Sequence, residues 1–179
     1  MSSYLKSALK ELKHSKVLVE KTIDAIDEDM LNWSPAEGTN SISIIVRHVT
    51  ENIRSRFTDF LTSDGEKSWR NRDAEFEEAD LSKADLLAAW EKSWAILLEN
   101  LEPLTEADLE RTIYIRGEGH TVTQAINRQV AHYASHMGQI VFIGKIIKGK
   151  DWESLSIPRG QSKAFNQQMF DTHKGDAKA

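Results

Sequence analysis

The residues of this chain best suited to chemistry are its histidines. There are six, His14, His48, His120, His132, His136 and His173, in 179 residues that contain no cysteine. His132 and His136 stand at i and i+4. On a helix that spacing stacks two side chains one turn apart, with Cβ atoms ~5–6 Å from each other. Two imidazoles placed so can converge on one metal ion, to which nitrogen bonds at ~2.0–2.1 Å. His48 lies in the middle of another helical pattern, beside the apolar positions Ile45 and Val49. From a facing helix it would complete a three-His site. Three protein ligands leave a position open for water or substrate, the arrangement of catalytic rather than structural metal sites. The competing reading makes each imidazole a core or surface residue satisfied by a carbonyl. His14 and His173 read as surface residues, and His120, just ahead of Thr121, as a loop or capping residue.

Other chemistries find less support. The helical zinc-protease motif needs Glu directly after the first His of the pair, and here Tyr133 follows His132. Gly117-Glu118-Gly119 is too short for a phosphate-binding loop and has no Lys. No nucleophile-elbow pattern points to a serine triad. Without cysteine there is no thiolate nucleophile and no disulfide.

Four helical segments must position the histidines. In the first, Leu5, Ala8, Leu9, Leu12, Leu18 with Val19, Ile23 and Ile26 fall on one stripe of a helix, up to the Asn32–Gly38 loop. The second starts at Asn40 or Ser41, carries Ile42, Ile45, Val46, Val49, Ile53, Phe57 and Phe60 on one face, and ends near Thr62–Gly65. The third opens at Ser82 with Asp85 three residues on, and runs through Leu86, Trp90, Trp94, Leu97 and Leu101 to Pro103. The Trp90/Trp94 pair is at helical spacing and reads as core. The fourth begins at Thr121 with Gln124 in the capping-box position; Ile126, Val130, Tyr133, Met137, Ile140, Gly144 and Ile147 follow on one stripe. Arg111–Arg116 alternates briefly and can be extended. The polar, non-periodic stretch from Gly65 to Asp80 is a long connection, which in a compact domain is functional or a crossover. Short loops make neighbouring helices antiparallel, whereas a long link lets two consecutive helices run parallel. The expected fold is therefore all-α: a four-helix bundle in up-down-down-up order, with the long connection between helices two and three. One domain is expected over residues 1–170, followed by a polar tail, 171–179.

Composition bounds the partners. With 23 Lys and Arg against 28 Asp and Glu the net charge is −5, so no general positive field for nucleic acid is implied. No apolar stretch approaches the ~20 residues that span a bilayer, and the start of the chain lacks the apolar run of a signal peptide. A cytoplasmic protein is the expectation.

The strings Ile44-Ile-Val-Arg-His-Val-Thr-Glu-Asn52 and Asn127-Arg-Gln-Val-Ala-His-Tyr-Ala-Ser-His-Met-Gly-Gln139 resemble the DinB-like, or YfiT-type, superfamily of metal-dependent proteins. The likeness covers roughly residues 30–165. Arg54–Thr62, Arg70–Phe76 and Ser156–Asn166 are similar to an uncharacterised branch of that superfamily. The resemblance implies a bundle that often dimerises, with His48, His132 and His136 binding a divalent metal. Some members of that superfamily are low-molecular-weight thiol S-transferases and others hydrolases or isomerases on thiol adducts; the resemblance to the branch carries over no substrate.

A metal held by three neutral imidazoles keeps its full charge and acts as a strong Lewis acid on bound water or thiol. A small thiol activated so is a nucleophile that needs no protein cysteine. The leading expectation is thus a divalent-metal enzyme, with zinc or nickel, transferring a small thiol to electrophilic or xenobiotic small molecules. The alternatives are a hydrolase using bound hydroxide, or a non-catalytic dimerising or partner-binding bundle with a structural metal. Asn52 and Gln129, with Glu51, lie within a turn of the proposed ligands and are candidates to orient them. Arg70, Arg72 and Arg159 are candidates to bind the carboxylates of an anionic thiol; equally, the first two belong to a solvated loop paired only with Asp73 and Glu75.

Overall fold

The computed structural model describes residues 2–79 and 81–174. Among them are five α-helices and one two-stranded sheet, in the order α1 (Ser3–Ala25), α2 (Ile42–Phe57), α3 (Lys83–Leu101), β1 (Thr112–Ile115), β2 (Glu118–Thr121), α4 (Val122–Lys148) and α5 (Ser162–Thr172). The chain divides into two compact units, one through Ile147 and one from Lys148 onward. No helix among the described residues is long and apolar enough to cross a membrane.

The caps read in the sequence work as donors and acceptors demand. Ser41 Oγ accepts from the Ile44 N–H at 3.2 Å. Thr121 and Gln124 form a reciprocal box: the Gln124 N–H donates to Thr121 Oγ1 at 3.1 Å, and the Thr121 N–H donates to Gln124 Oε1 at 2.9 Å. At Ser82 only half the box forms. Its Oγ accepts from the Asp85 N–H at 3.1 Å, while the Asp85 carboxylate, one methylene shorter than Glu, takes the Ser82 hydroxyl at 2.6 Å.

In the first unit all four long helices feed one buried cluster. Leu5, Leu12 and Ile23 come from α1; Ile45, Val49 and Ile53 from α2; Trp90, Trp94 and Leu97 from α3; Ile126, Tyr133 and Ile140 from α4. Each such side chain contributes roughly 1.5–3 kcal/mol by leaving water. Polar ties join helix ends. The Tyr4 hydroxyl lies 3.1 Å from Thr123 O and 2.9 Å from Asn127 Oδ1, sharing its one hydrogen between them and linking the starts of α1 and α4. Lys83 Nζ donates to Asp24 O at 3.2 Å and Ile26 O at 3.1 Å, linking the start of α3 to the end of α1.

Two expectations change. The second helix stops at Phe57, well short of Thr62, because Thr58 is extended (φ −65°, ψ 125°) and Asp59 is left-handed (φ 50°). The Asp59 carbonyl then accepts from the N–H groups of Thr62 and Ser63, both at 3.0 Å. Phe60 stays buried with its ring 5.1 Å from that of Phe57, so the apolar pattern outlasts the helix that suggested it. The fold is also not purely α. Thr112–Ile115 pairs antiparallel with Glu118–Thr121, Ile113 and Ile115 facing the core while Thr112 and Tyr114 face out. Arg116 (φ 55°) and Gly117 (φ 76°) make the two-residue connection, with positive φ at both positions as a type I′ turn requires. The second strand, Glu-Gly-His-Thr, has no apolar alternation, so only its partner carried a sequence signal.

The hairpin turn is held by the long connection. The Asp64 carboxylate accepts from the N–H groups of Arg116 and Gly117, both at 2.8 Å, and of Glu66 at 2.7 Å. Desolvation, which by itself raises its pKa, is outweighed by those backbone donors, and the carboxyl sits below its usual range. A depressed carboxylate stabilises the fold above its unfolded pKa, ~3.9, and that contribution fades as pH falls through the folded value. Asp64→Ala should therefore lower the hydrogen-exchange protection of the Arg116 and Gly117 amides at neutral pH. The wild type should lose the same protection only below about pH 4. Unchanged protection in the variant would show that the turn stands without its cap.

In the second unit α5 has no buried residue. The expected polar tail starts inside this helix, which continues to Thr172; residues 175–179 lie outside the described residues.

Candidate metal centre

The face of α2 that carries Ile45, Val49 and Ile53 into the core carries His48 at its margin, 4% exposed. On α4, Tyr133, Met137 and Ile140 point into the core, and His132 and His136 flank them, partly buried. The three rings meet. Their centroids are 5.4 Å apart for His48–His132, 4.9 Å for His48–His136 and 4.6 Å for His132–His136. One nitrogen from each lies within 4.8 Å of the other two.

The outer partners of these rings decide what the nitrogens are free to do. His48 Nδ1 is 2.8 Å from Glu75 Oε2. Glu75 is buried, and its burial alone would raise its pKa. The hydrogen bonds from His48 and Arg70 reverse this and hold the carboxylate charged. A charged carboxylate accepts, so His48 donates from Nδ1 and keeps the Nε2 lone pair for a ligand. Arg70, its side chain 1% exposed, donates from Nε to Glu75 Oε1 at 2.7 Å and from Nη2 to Oε2 at 2.9 Å. Arg47 secures the turn that bears Glu75, donating to Ala74 O at 2.9 Å and Glu77 O at 2.6 Å.

His132 Nε2 and His136 Nδ1 are buried with no hydrogen-bond partner. Burial first, then the charges of His136, His48, Arg128 and Arg56, lower the His132 pKa to about 4. Burial and His48 lower that of His136, against a hydrogen bond with Gln139 that raises it. Both rings are neutral at neutral pH, with lone pairs unspent. Two rings with orphaned nitrogens, beside a third, carboxylate-oriented imidazole, fit the donor set that a divalent transition metal takes.

A cavity of about 210 Å³ adjoins this group, bounded by His48 and His132 and lined further by Asn52, Gln129 and five arginines. Asn52 Oδ1 accepts from the Tyr133 hydroxyl at 3.1 Å, and Gln129 Oε1 has no partner. Neither bonds the three imidazoles; both line the cavity. Glu51 is taken by Arg54, at 2.6 and 2.8 Å. Arg70 is spent inside the protein on Glu75, with Glu66 at 3.7 Å. Arg72 lies over the Phe76 ring, 5.1 Å from its centroid, and lines the cavity. Arg159 belongs to the second unit and is exposed. His14 and His173 are exposed, as expected, and His120 lies in β2, 3.5 Å from Glu118.

Sequence reading offered Glu75 as a partner of Arg70, which it is, but missed its bond to His48, because it sits in a non-periodic stretch with no pattern to mark its direction. It also missed Arg56, Arg116 and Arg128 as cavity residues. For Arg128 a signal existed: it precedes His132 by one helical turn.

A family model described as a protein of unknown function, DUF1572, matches residues 1–161. The chain belongs to this family. No curated protein matches this DUF1572 chain. Among solved structures it is similar to a DinB-like protein, YjoA, from Bacillus subtilis, with a TM-score of 0.64 and 16% identity over 83% of this chain and 96% of that one. At that identity the likeness concerns the fold alone.

Proposed function

We propose that this protein is a divalent-metal-dependent enzyme whose ion is held by His48, His132 and His136, and which transfers a small thiol to electrophilic small molecules. The observation that carries the reading is that His132 and His136, each with an orphaned buried nitrogen, bring a ring nitrogen within 4.8 Å of one from His48, beside a cavity lined by His48 and His132. An ion ligated by three neutral groups supplies Lewis acidity that lowers the pKa of a thiol or water brought to it. The chain's own residues do the rest. Glu75 fixes the His48 tautomer, Arg70 fixes Glu75, and the cavity receives the small molecule. A ligand-sized space beside the histidines favours this reading over a purely structural metal, whose site would be closed. Zinc and nickel suit imidazole.

The reading includes an up-down-down-up bundle. It is supported by the ties between the starts of α1 and α4 and between the end of α1 and the start of α3. A homodimer and a cytoplasmic location complete it.

The test is elemental analysis of protein purified without added metal and without a histidine tag. One divalent ion per chain is expected, lost in His48→Ala and in His136→Ala. Absence of stoichiometric metal, with no uptake on titration, would overturn the reading. A panel of small thiols with the metal-replete protein then separates transfer from hydrolysis, since hydrolytic turnover persists when the thiol is omitted.

A further inference from the structure

We propose that the cavity beside the three histidines is an oxyanion subsite, and that the small molecule handled there carries a carboxylate or phosphate group. The functional half of this inference rests on the histidines being the reaction centre; the binding half does not.

Charge is unevenly placed in this protein. The whole chain is net −5, yet Arg56, Arg70, Arg72, Arg116 and Arg128 line one cavity of about 210 Å³ with no carboxylate among the lining residues. Two acidic side chains stand behind that wall. Glu66 Oε2 is 3.1 Å from Arg56, 2.9 Å from Arg116 and 3.7 Å from Arg70. Glu75 serves Arg70 and His48 together. Three arginines thus share two carboxylates, and Arg72 and Arg128 have no acidic partner among the described residues. Guanidinium groups gathered in this way repel one another, and a bound anion relieves the repulsion.

Unmet hydrogen-bonding groups point the same way. Arg56 is 5% exposed, and its Nε finds no acceptor. Gln129, 3% exposed on the same wall, leaves Oε1 without a partner; rotation of its amide presents two N–H donors instead. Buried donors left unpaired are costly, and a ligand oxygen satisfies them. The planar fork of a guanidinium matches the paired oxygens of a carboxylate or phosphate.

Place and size narrow the ligand. Arg128 stands one turn before His132 on α4, and His48 and His132 bound the cavity. An acid group held by the arginines therefore lies within the span of one small molecule from the three imidazoles. The volume is below the ~300 Å³ typical of the smallest drug-sized pockets. That suits a short acid, or the acidic end of a longer molecule, and leaves no room for a folded polymer chain.

The test is calorimetric titration of the full chain, as purified and again after chelator treatment and dialysis, with succinate, inorganic phosphate and the neutral succinamide. Succinate or phosphate should bind in both preparations while succinamide does not, and the tighter of the two anions identifies the kind of acid. Arg72→Gln with Arg128→Gln, both at exposed positions, should weaken anion binding about tenfold or more while melting temperature and metal content stay at wild-type values. Silence with both anions, equal binding of succinamide, or unchanged affinity in the arginine variant each refutes the subsite. Protein that takes up metal but no anion refutes this inference and leaves the histidine reading intact. Protein that binds anions but no metal refutes the histidine reading and leaves the subsite standing.

Discussion

Glu75→Ala should lower the stability of the metal-free protein by about 3–5 kcal/mol and weaken divalent-metal binding about 10–100-fold. Both effects follow from one carboxylate facing two partners. On one side it accepts two hydrogen bonds from Arg70, whose side chain is 1% exposed. Removing the acid leaves a buried guanidinium with only Glu66, at 3.7 Å, to answer it. On the other side it fixes the His48 ring through Nδ1 at 2.8 Å. Without that acceptor the imidazole is free to rotate and to change tautomer, and the ligand set loses its preorganisation. Glu75→Gln separates the two roles, because an amide oxygen still accepts from His48 but carries no charge for Arg70. It should recover most of the metal affinity and little of the stability. Denaturant titration in the absence of metal, beside metal titration of the same preparations, reads both quantities. A Glu75→Ala protein as stable as wild type would mean that Arg70 reaches water, and the inferred network would fall with it.

Trp94→Ala should cost about 3–5 kcal/mol through the cavity it leaves, lowering the melting temperature by roughly 6–20 °C at ~2–4 °C per kcal/mol for a chain of this size. The Trp94 ring is fully buried, 5.4 Å from the Trp90 ring and 6.1 Å from that of Tyr133. Tyr133 also bonds Asn52 across α2 and α4, at 3.1 Å, beside the ligand histidines. Loss of the indole therefore loosens the tie between the two helices that supply the site. Metal affinity should fall, but by less than in Glu75→Ala, since the His48–Glu75 bond is untouched. Thermal and denaturant melting measure the first effect and metal titration the second. A loss below about 1 kcal/mol would mean that the neighbouring side chains collapse into the space, contrary to the partial relaxation expected of a packed core.

The legible part of the fold was the part written in periodicity. Four stripes of apolar residues marked α1 to α4, and three polar caps marked where α2, α3 and α4 begin. Each is a local property, decided by neighbours within one or two turns, so sequence spacing alone carries it. Where the local rule and the backbone parted, the reading erred. Phe60 kept the period of α2 but is buried from a turn, because Asp59 has already left helical space. The strand Glu118–Thr121 has no apolar face to announce it and owes its place to pairing with Thr112–Ile115.

For the site, the sequence by itself determined that His132 and His136 share one face of one helix, and that His48 sits beside an apolar stripe. It also determined that the chain, having no cysteine, supplies no thiolate and no disulfide of its own. Tertiary structure alone decided that the three rings meet, that Glu75 rather than Asn52 or Gln129 orients His48, and that five arginines surround one small cavity. The physical reason lies in range. Helical periodicity is enforced by hydrogen bonds four residues long, whereas an ion pair or a ligand set depends only on distance in space. A loop without a period places its charges wherever packing against α2 leaves them.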